Sequence, residues 1–269
     1  MASADDASLA APSAERLSAH LGTTWLGRAY EWHAACESTN DLAGARAKAG
    51  AAQGLVVATE QQSAGRGRLG RAWHSPAGEN LYLSILLRPT RPAFEIPPIT
   101  LLAGAAVARA LARLGLAPRL KWPNDVQLVV EGAPRKVAGI LTEMASEGGR
   151  VGHVVVGVGL NVNALAFPAE LAARATSLRL VAGRPFERAI VLAAVLEELE
   201  RLYEAFEAVG PAAAGEAWQP FAALGTRCRV SAPGGPLEGT MLGIDADGAL
   251  RLGDDAGHIH RVLSGEIST

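Results

Sequence analysis

The chain has 269 residues, 49% hydrophobic and 19% charged, enough to close a full core as one large domain with a smaller companion. A formal net charge of -2 argues against a non-specific grip on nucleic acid or anionic membrane, and no apolar stretch reads as long enough and free enough of polar residues to span a bilayer. Cys36 and Cys228 lie far apart and demand no disulfide, while residues 1–6 are acidic where a signal peptide starts basic, so a cytoplasmic protein is expected.

In chain order, residues 12–21 read as a short helix, and the segment before Gly22 is too short for a DNA-binding helix-turn-helix domain. Ser38, Thr39, Asn40 and Asp41 offer capping side chains for an alanine-rich helix ending near Gly50. Residues 55–60 and 80–87 read as strands around the loop 63–78, and 99–114 as a long apolar helix. Pro123 breaks the extended stretch 119–125. Residues 126–130 and 136–144 flank a hairpin turn, and a second hairpin through Glu147-Gly148-Gly149 leads into 151–160. An amphipathic helix follows over 184–207. Beyond Pro220, short runs at 227–230, 237–244, 249–252 and 258–263 alternate with glycine-rich turns. The pattern predicts an α+β fold: a central mixed or antiparallel sheet flanked by helices in residues 1–220, then a small C-terminal β-barrel in 221–269.

The loop is the most pointed feature. It carries Arg66, Arg68 and Arg71 among Gly65, Gly67 and Gly70, with no acidic residue over 63–78. Glycine lets backbone approach a ligand, and guanidinium forks match carboxylate and phosphate oxygens. The chain is not basic overall, so the loop reads as a device for holding a small anion. Its Gly65-Arg66-Gly67-Arg68-Leu69-Gly70 spacing satisfies the dinucleotide fingerprint G-x-G-x-x-G, but it stands between two strands instead of opening a helix. A dinucleotide fold is therefore disfavoured.

Only three of the 25 basic residues are lysines, and Lys48 has an ordinary place at a helix C-terminus. Lys121 and Lys136 fall in strands after the long helix, where pairing brings both to the mouth of the arginine loop and within reach of a carboxylate or an α-phosphate. Asn124-Asp125 reads either as turn chemistry or as a polar pair at a strand edge. Trp73 is either a core aromatic or a platform for a flat ring. Asn161 and Asn163 close a glycine-rich strand, a pairing of amides that only a ligand would justify. His258 and His260 lack a third ligand at metal spacing, and no esterase, zinc-protease or P-loop motif is present.

Taken in order over residues 36–267, these segments resemble the bacterial biotin protein ligases. The matching pieces are Ser38-Thr39-Asn40, Gln62 with Gly65 to Trp73, Ser75-Pro76 with Asn80-Leu81, Lys121-Trp122-Pro123-Asn124-Asp125, Lys136-Val137-Ala138-Gly139-Ile140-Leu141, Gly157-Val158-Gly159-Leu160-Asn161-Val162-Asn163 and Gly265-Glu266. The resemblance implies ATP-dependent activation of biotin to biotinyl-5′-adenylate, then transfer to a lysine of a biotin carboxyl carrier domain of acetyl-CoA carboxylase or a related carboxylase, with magnesium accompanying ATP.

It also implies roles. Ser38, Thr39, Asn40, Gln62, Gly65 and Gly67 would surround biotin, with Ser38, Thr39 and Gln62 on its ureido group. Arg66 and Arg68 would close over the biotin carboxylate and the phosphates as a disordered loop folds. Arg71, Trp73, Lys121, Asn124 and Asn161 would contact ATP, Lys136 would stabilise developing charge, and Asp125 would orient the incoming amine. No metal ligands are assigned, and homodimerisation is left open. Family members with an N-terminal DNA-binding domain also repress transcription; this chain is expected to act without operator binding. The nearest rival is lipoate or octanoate attachment, against which the Gly-Arg-Gly-Arg pattern counts. A nucleic-acid-binding module would need further basic surface and aromatic platforms, and aromatics are 5% of the chain.

Overall fold

A computed structural model describes residues 10–148 and 150–268. The acidic residues 1–6 and Gly149 of the second hairpin turn lie outside the described residues. Helix α1 (Ala14–Ser18), strand β1 (Tyr30–His33), helix α2 (Thr39–Lys48) and strands β2 (Val56–Thr59) and β3 (Leu81–Leu87) come first. Helix α3 (Ile99–Arg113) leads into β4 (Pro118–Lys121), β5 (Asp125–Val130), β6 (Ala133–Glu147) and β7 (Arg150–Leu160). Helices α4 (Ala169–Ala172), α5 (Leu178–Ala182), α6 (Arg188–Val209) and α7 (Ala212–Trp218) follow, then strands β8 (Arg227–Ala232), β9 (Gly235–Ile244), β10 (Leu250–Gly253), β11 (Ile259–Val262) and β12 (Glu266–Ser268).

Seven strands form one sheet in the order β1-β2-β3-β7-β6-β5-β4, parallel between β1 and β2 and antiparallel elsewhere. The expected mixed sheet with flanking helices is present. The last five strands make an antiparallel sheet, β11-β10-β9-β8-β12, which is the small C-terminal β unit expected. Other details differ. Ser38 occupies the N-cap of α2 without a side-chain cap bond, and Thr39, Asn40 and Asp41 sit inside the helix. Helix α6 begins at Arg188, after Pro185, because proline disfavours a helical residue before it.

Alternation sorts the central sheet into two faces. Leu81, Leu83, Ile85 and Leu87 of β3 join Val154, Val156, Val158 and Leu160 of β7 in the main core, against α3 and α6. By length and hydropathy the segment Ala93–Arg113 would pass for a membrane span, contrary to the reading of the sequence. Its apolarity serves the core, where 72% of the window is buried. The opposite sheet face is covered by α2 through Ala43, Ala47, Leu55, Val57, Leu86 and Val155.

A buried charge braces the ends of the arginine loop. Arg188, 1% exposed, donates to Glu60 Oε1 at 2.8 Å and to the Asn80 carbonyl at 3.1 Å. Glu60 Oε1 also accepts the Gly78 N–H at 2.6 Å. Removing one partner of such a pair leaves the other charge buried. Arg188→Met is therefore expected to destabilise the fold by about 3 kcal/mol in urea denaturation, since Glu60 would keep its charge without its cation; an unchanged midpoint would contradict this account of the brace.

Candidate active site

Next to the patch covered by α2, the same sheet face lacks side chains at three adjoining positions, Gly139, Gly157 and Gly159. Register places Leu141 and Ser84 on either side of Gly157, and Gly139 and Tyr82 on either side of Gly159. Since neighbours in a strand alternate, core residue Val158 stands between two glycines of the other face, Gly157 and Gly159, and core residue Ile140 follows Gly139. The resulting floor is backbone, open to close approach. Asn40 and Trp73 already use it: a Cβ on Gly157 would lie 2.3 Å from Asn40 Oδ1, and one on Gly159 2.3 Å from Trp73 Cε2.

Polar groups ring this floor. The Thr39 N–H donates to Gln62 Oε1 at 2.9 Å, and Gln62 Nε2 donates to Ser75 Oγ at 3.1 Å. Ser84 Oγ donates to Asn40 Oδ1 at 2.6 Å and lies 2.8 Å from Thr39 Oγ1. Ser38, Thr39, Asn40 and Ser84 are all buried. Ser84 was missed in the sequence, although a small polar residue inside the otherwise bulky run Leu81–Leu87 is a signal of its own.

The arginine loop is folded. Gly67 N–H donates to the Arg71 carbonyl at 2.7 Å and Trp73 N–H to the Gly65 carbonyl at 2.8 Å, with Leu69 and Gly70 at φ 57° and 73° turning the tip. Gly65 is dictated by space, since a Cβ would meet Ser75 Oγ and the Trp73 carbonyl at 2.8 Å. Arg66 pairs with Asp41 at 2.6 Å and Glu143 at 3.3 Å, and Arg71 with Glu266 at 2.5 Å. The Arg66 guanidinium lowers the pKa of the Asp41 carboxyl through its hydrogen bonds. Arg68 differs: burial pushes its pKa down, and its hydrogen bonds go to Asn124 Oδ1 at 3.3 Å and the Gly265 carbonyl at 3.4 Å.

Lys136 Nζ forms an ion pair with Asp125 at 2.6 Å and stands 5.2 Å from the centre of the Trp73 ring. Lys121 faces Asp125 across the β4–β5 ladder. Asn161 is buried and donates to the Thr176 carbonyl at 3.0 Å. Asn163 corrects the expectation that both amides need a ligand. It brackets Phe186, donating to its carbonyl and accepting its N–H, each at 2.9 Å. Asp254 holds both His258, at 3.3 Å, and His260, at 2.8 Å. No cluster of three metal-binding side chains occurs among the described residues.

Two cavities meet here. The inner one is lined by Ser38, Thr39, Asn40, Gln62, Arg66 and the glycine floor. The outer one, about 570 Å³, is lined by Arg71, Lys121, Asp125, Asn161, Phe167 and Arg174 among others, a size suited to a small-molecule ligand. Gly67, Arg68, Trp73, Asn124 and Lys136 line both.

The biotin/lipoate A/B protein ligase family model matches residues 33–161, and the biotin protein ligase C terminal domain model matches residues 223–269. The bifunctional ligase/repressor BirA of Bacillus subtilis is 37% identical over 251 residues, 92% of this chain and 76% of that protein. The biotin–[acetyl-CoA-carboxylase] ligase of Mycobacterium tuberculosis is 36% identical, covering 86% of this chain and 85% of that protein. This chain belongs to the biotin protein ligase family. The biotin protein ligase of Aquifex aeolicus, solved with biotin and ATP, superposes with a TM-score of 0.77 at 29% identity over 90% of this ligase and 98% of that one.

Trp73 fastens the ligase's loop to the glycine floor, so Gly159→Ala should free it. Overpacking of this kind costs about 1–3 kcal/mol, and tryptic cleavage after Arg66, Arg68 or Arg71 is expected to accelerate roughly tenfold. Unchanged cleavage would show that Trp73 does not hold the loop.

Proposed function

We propose that the inner cavity takes biotin, the outer one ATP, and that the residues common to both serve the reacting groups. The chain is a biotin protein ligase, and the wall shared by the two cavities is the observation that carries this division of labour. A carboxylate does not acylate an amine in neutral water, because the leaving group would be oxide. A biotin carboxylate oxygen instead attacks the α-phosphorus of ATP, the bond to the β-phosphate oxygen breaks, and pyrophosphate leaves. The mixed anhydride then loses AMP when a lysine amine attacks its carbonyl carbon, and the amine proton passes to a base or to water.

Ser38, Thr39, Asn40, Gln62 and Ser84 supply donors and acceptors for the ureido end, and Gly65 and Gly67 let the loop backbone lie close. Arg68 and Lys136, on the shared wall, would stabilise charge that builds between carboxylate and α-phosphate. Arg71, Lys121, Asn124 and Asn161 would serve the nucleotide. Trp73 Nε1, buried without a hydrogen-bond partner among the described residues, offers a donor to a ligand oxygen. Asp125, already on Lys136, is suited to orient the entering amine. Magnesium would arrive on the phosphates, with Asp125 and Glu266 as the carboxylates lining the outer cavity, in keeping with the few protein ligands magnesium uses there. It would neutralise phosphate charge.

The acceptor we propose is a carboxyl carrier domain of acetyl-CoA carboxylase or a related carboxylase, as the name of the mycobacterial relative suggests. A division into residues 1–220 and 221–269 is supported by the change of sheet between β7 and β8. The test is transfer of radiolabelled biotin to such a domain with ATP and magnesium. Lys136→Ala and Arg68→Ala are each expected to slow adenylate formation about a hundredfold or more, the scale seen when one preorganised charge-stabilising donor is removed. Transfer of lipoate in place of biotin, or wild-type rates in both variants, would overturn the assignment.

A further inference from the structure

Of the three loop arginines, the first is turned away from the shared wall. Both terminal nitrogens of Arg66 engage Asp41 of α2, at 2.6 and 2.7 Å, and one also reaches Glu143 of β6 at 3.3 Å. Glu143 is itself held: its Oε2 accepts from Asn40 Nδ2 at 2.6 Å, and Asn40 is wedged against Gly157 and bonded to Ser84. One guanidinium between two carboxylates is a net negative trio, with little attraction left for a substrate anion. Arg68, by contrast, spends its hydrogen bonds on a neutral amide and a carbonyl. The bidentate fork is also a directional contact, which a lysine could not reproduce.

We propose that Asp41 and Glu143 are positioning residues that clasp the arginine loop over the inner cavity through Arg66, leaving Arg68 and Lys136 to meet the reacting oxygens. The proposal deepens the ligase reading and rests on it. Asp41 and Glu143 lie on different elements, α2 and β6, so the clasp joins the loop to both walls of the inner cavity. An activated intermediate can leave, or meet water, only when the loop opens. Breaking the clasp should therefore speed escape of the adenylate more than it slows adenylate formation.

Single-turnover reactions of the full chain with radiolabelled biotin and ATP separate the two rates, with labelling of bystander albumin as a readout of escape. Asp41→Asn is expected to raise escape about fivefold while formation stays within about twofold of wild type, the range of a partly exposed but bidentate pair. Asp41→Glu, which keeps the charge, should lie nearer wild type. Arg66→Ala should raise escape to the same extent, and Asp41→Asn added to it should change escape no further, because both act through one contact. Additive effects, or unaltered escape in Asp41→Asn, would overturn the clasp. A wild-type protein that forms no adenylate would instead sink the ligase reading itself.

Discussion

Three neighbouring strands must present a hydrophobic face to α3 and α6 while leaving part of the other face bare. Alternation makes this possible, with Ala138, Ile140, Val156, Val158 and Leu160 on one side of β6 and β7 and Gly139, Gly157 and Gly159 among the residues on the other. Each glycine inside a strand costs roughly 0.5–1 kcal/mol against alanine. The sheet sustains three because Ala138, Ile140, Val156, Val158 and Leu160 on its opposite face are packed in the main core. The rest of the site depends on that bare floor. Asn40 and Trp73 can lie on it only because no Cβ stands there, and through them α2 and the arginine loop reach neighbouring glycines of one strand, Gly157 and Gly159.

Electrostatics then separates cations that hold structure from cations held ready. Arg66 is committed to carboxylates of two other elements, whereas Arg71, paired with Glu266, also lines the outer cavity. Lys136 also has a carboxylate, but one that lines the outer cavity beside it. Arg68 is the half-buried guanidinium whose hydrogen bonds go to uncharged groups, and desolvation disfavours its charged form. A substrate oxygen arriving there would relieve that penalty, whereas one arriving at Arg66 would have to displace two anions.

Much of this was legible from residue type alone. The arginine loop stood out because its cations and glycines are concentrated in a chain of negative net charge, and Lys121 and Lys136 because the chain almost avoids lysine. The hairpins after α3 were marked by glycine and proline turns. What stayed hidden depended on register. Ser84 and Glu143 look like ordinary strand residues until β3, β6 and β7 are aligned and both prove to share the face of Gly157. Strand β1 pairs in parallel with β2, a non-local contact that turn signals do not announce. Asn163 misled for a related reason: its amide serves the Phe186 backbone, a partner placed there by tertiary structure.

The C-terminal sheet completes the loop's restraints. Glu266 of β12 takes Arg71, and the carbonyl of Gly265 takes Arg68, so both contacts come from a segment beyond the strand runs read in the sequence. Gly265 has φ 159° and no room for a Cβ, which would approach the Ser231 carbonyl at 2.5 Å. Backbone pressed this tightly against β8 cannot shift without disturbing the β8–β12 pairing. The arginine loop is thus anchored on one side to α2 and β6 and on the other to a different sheet. Motion of the C-terminal sheet relative to the central one would reach Arg68 directly, through the single residue that presents both a carbonyl to it and a tight fit to β8.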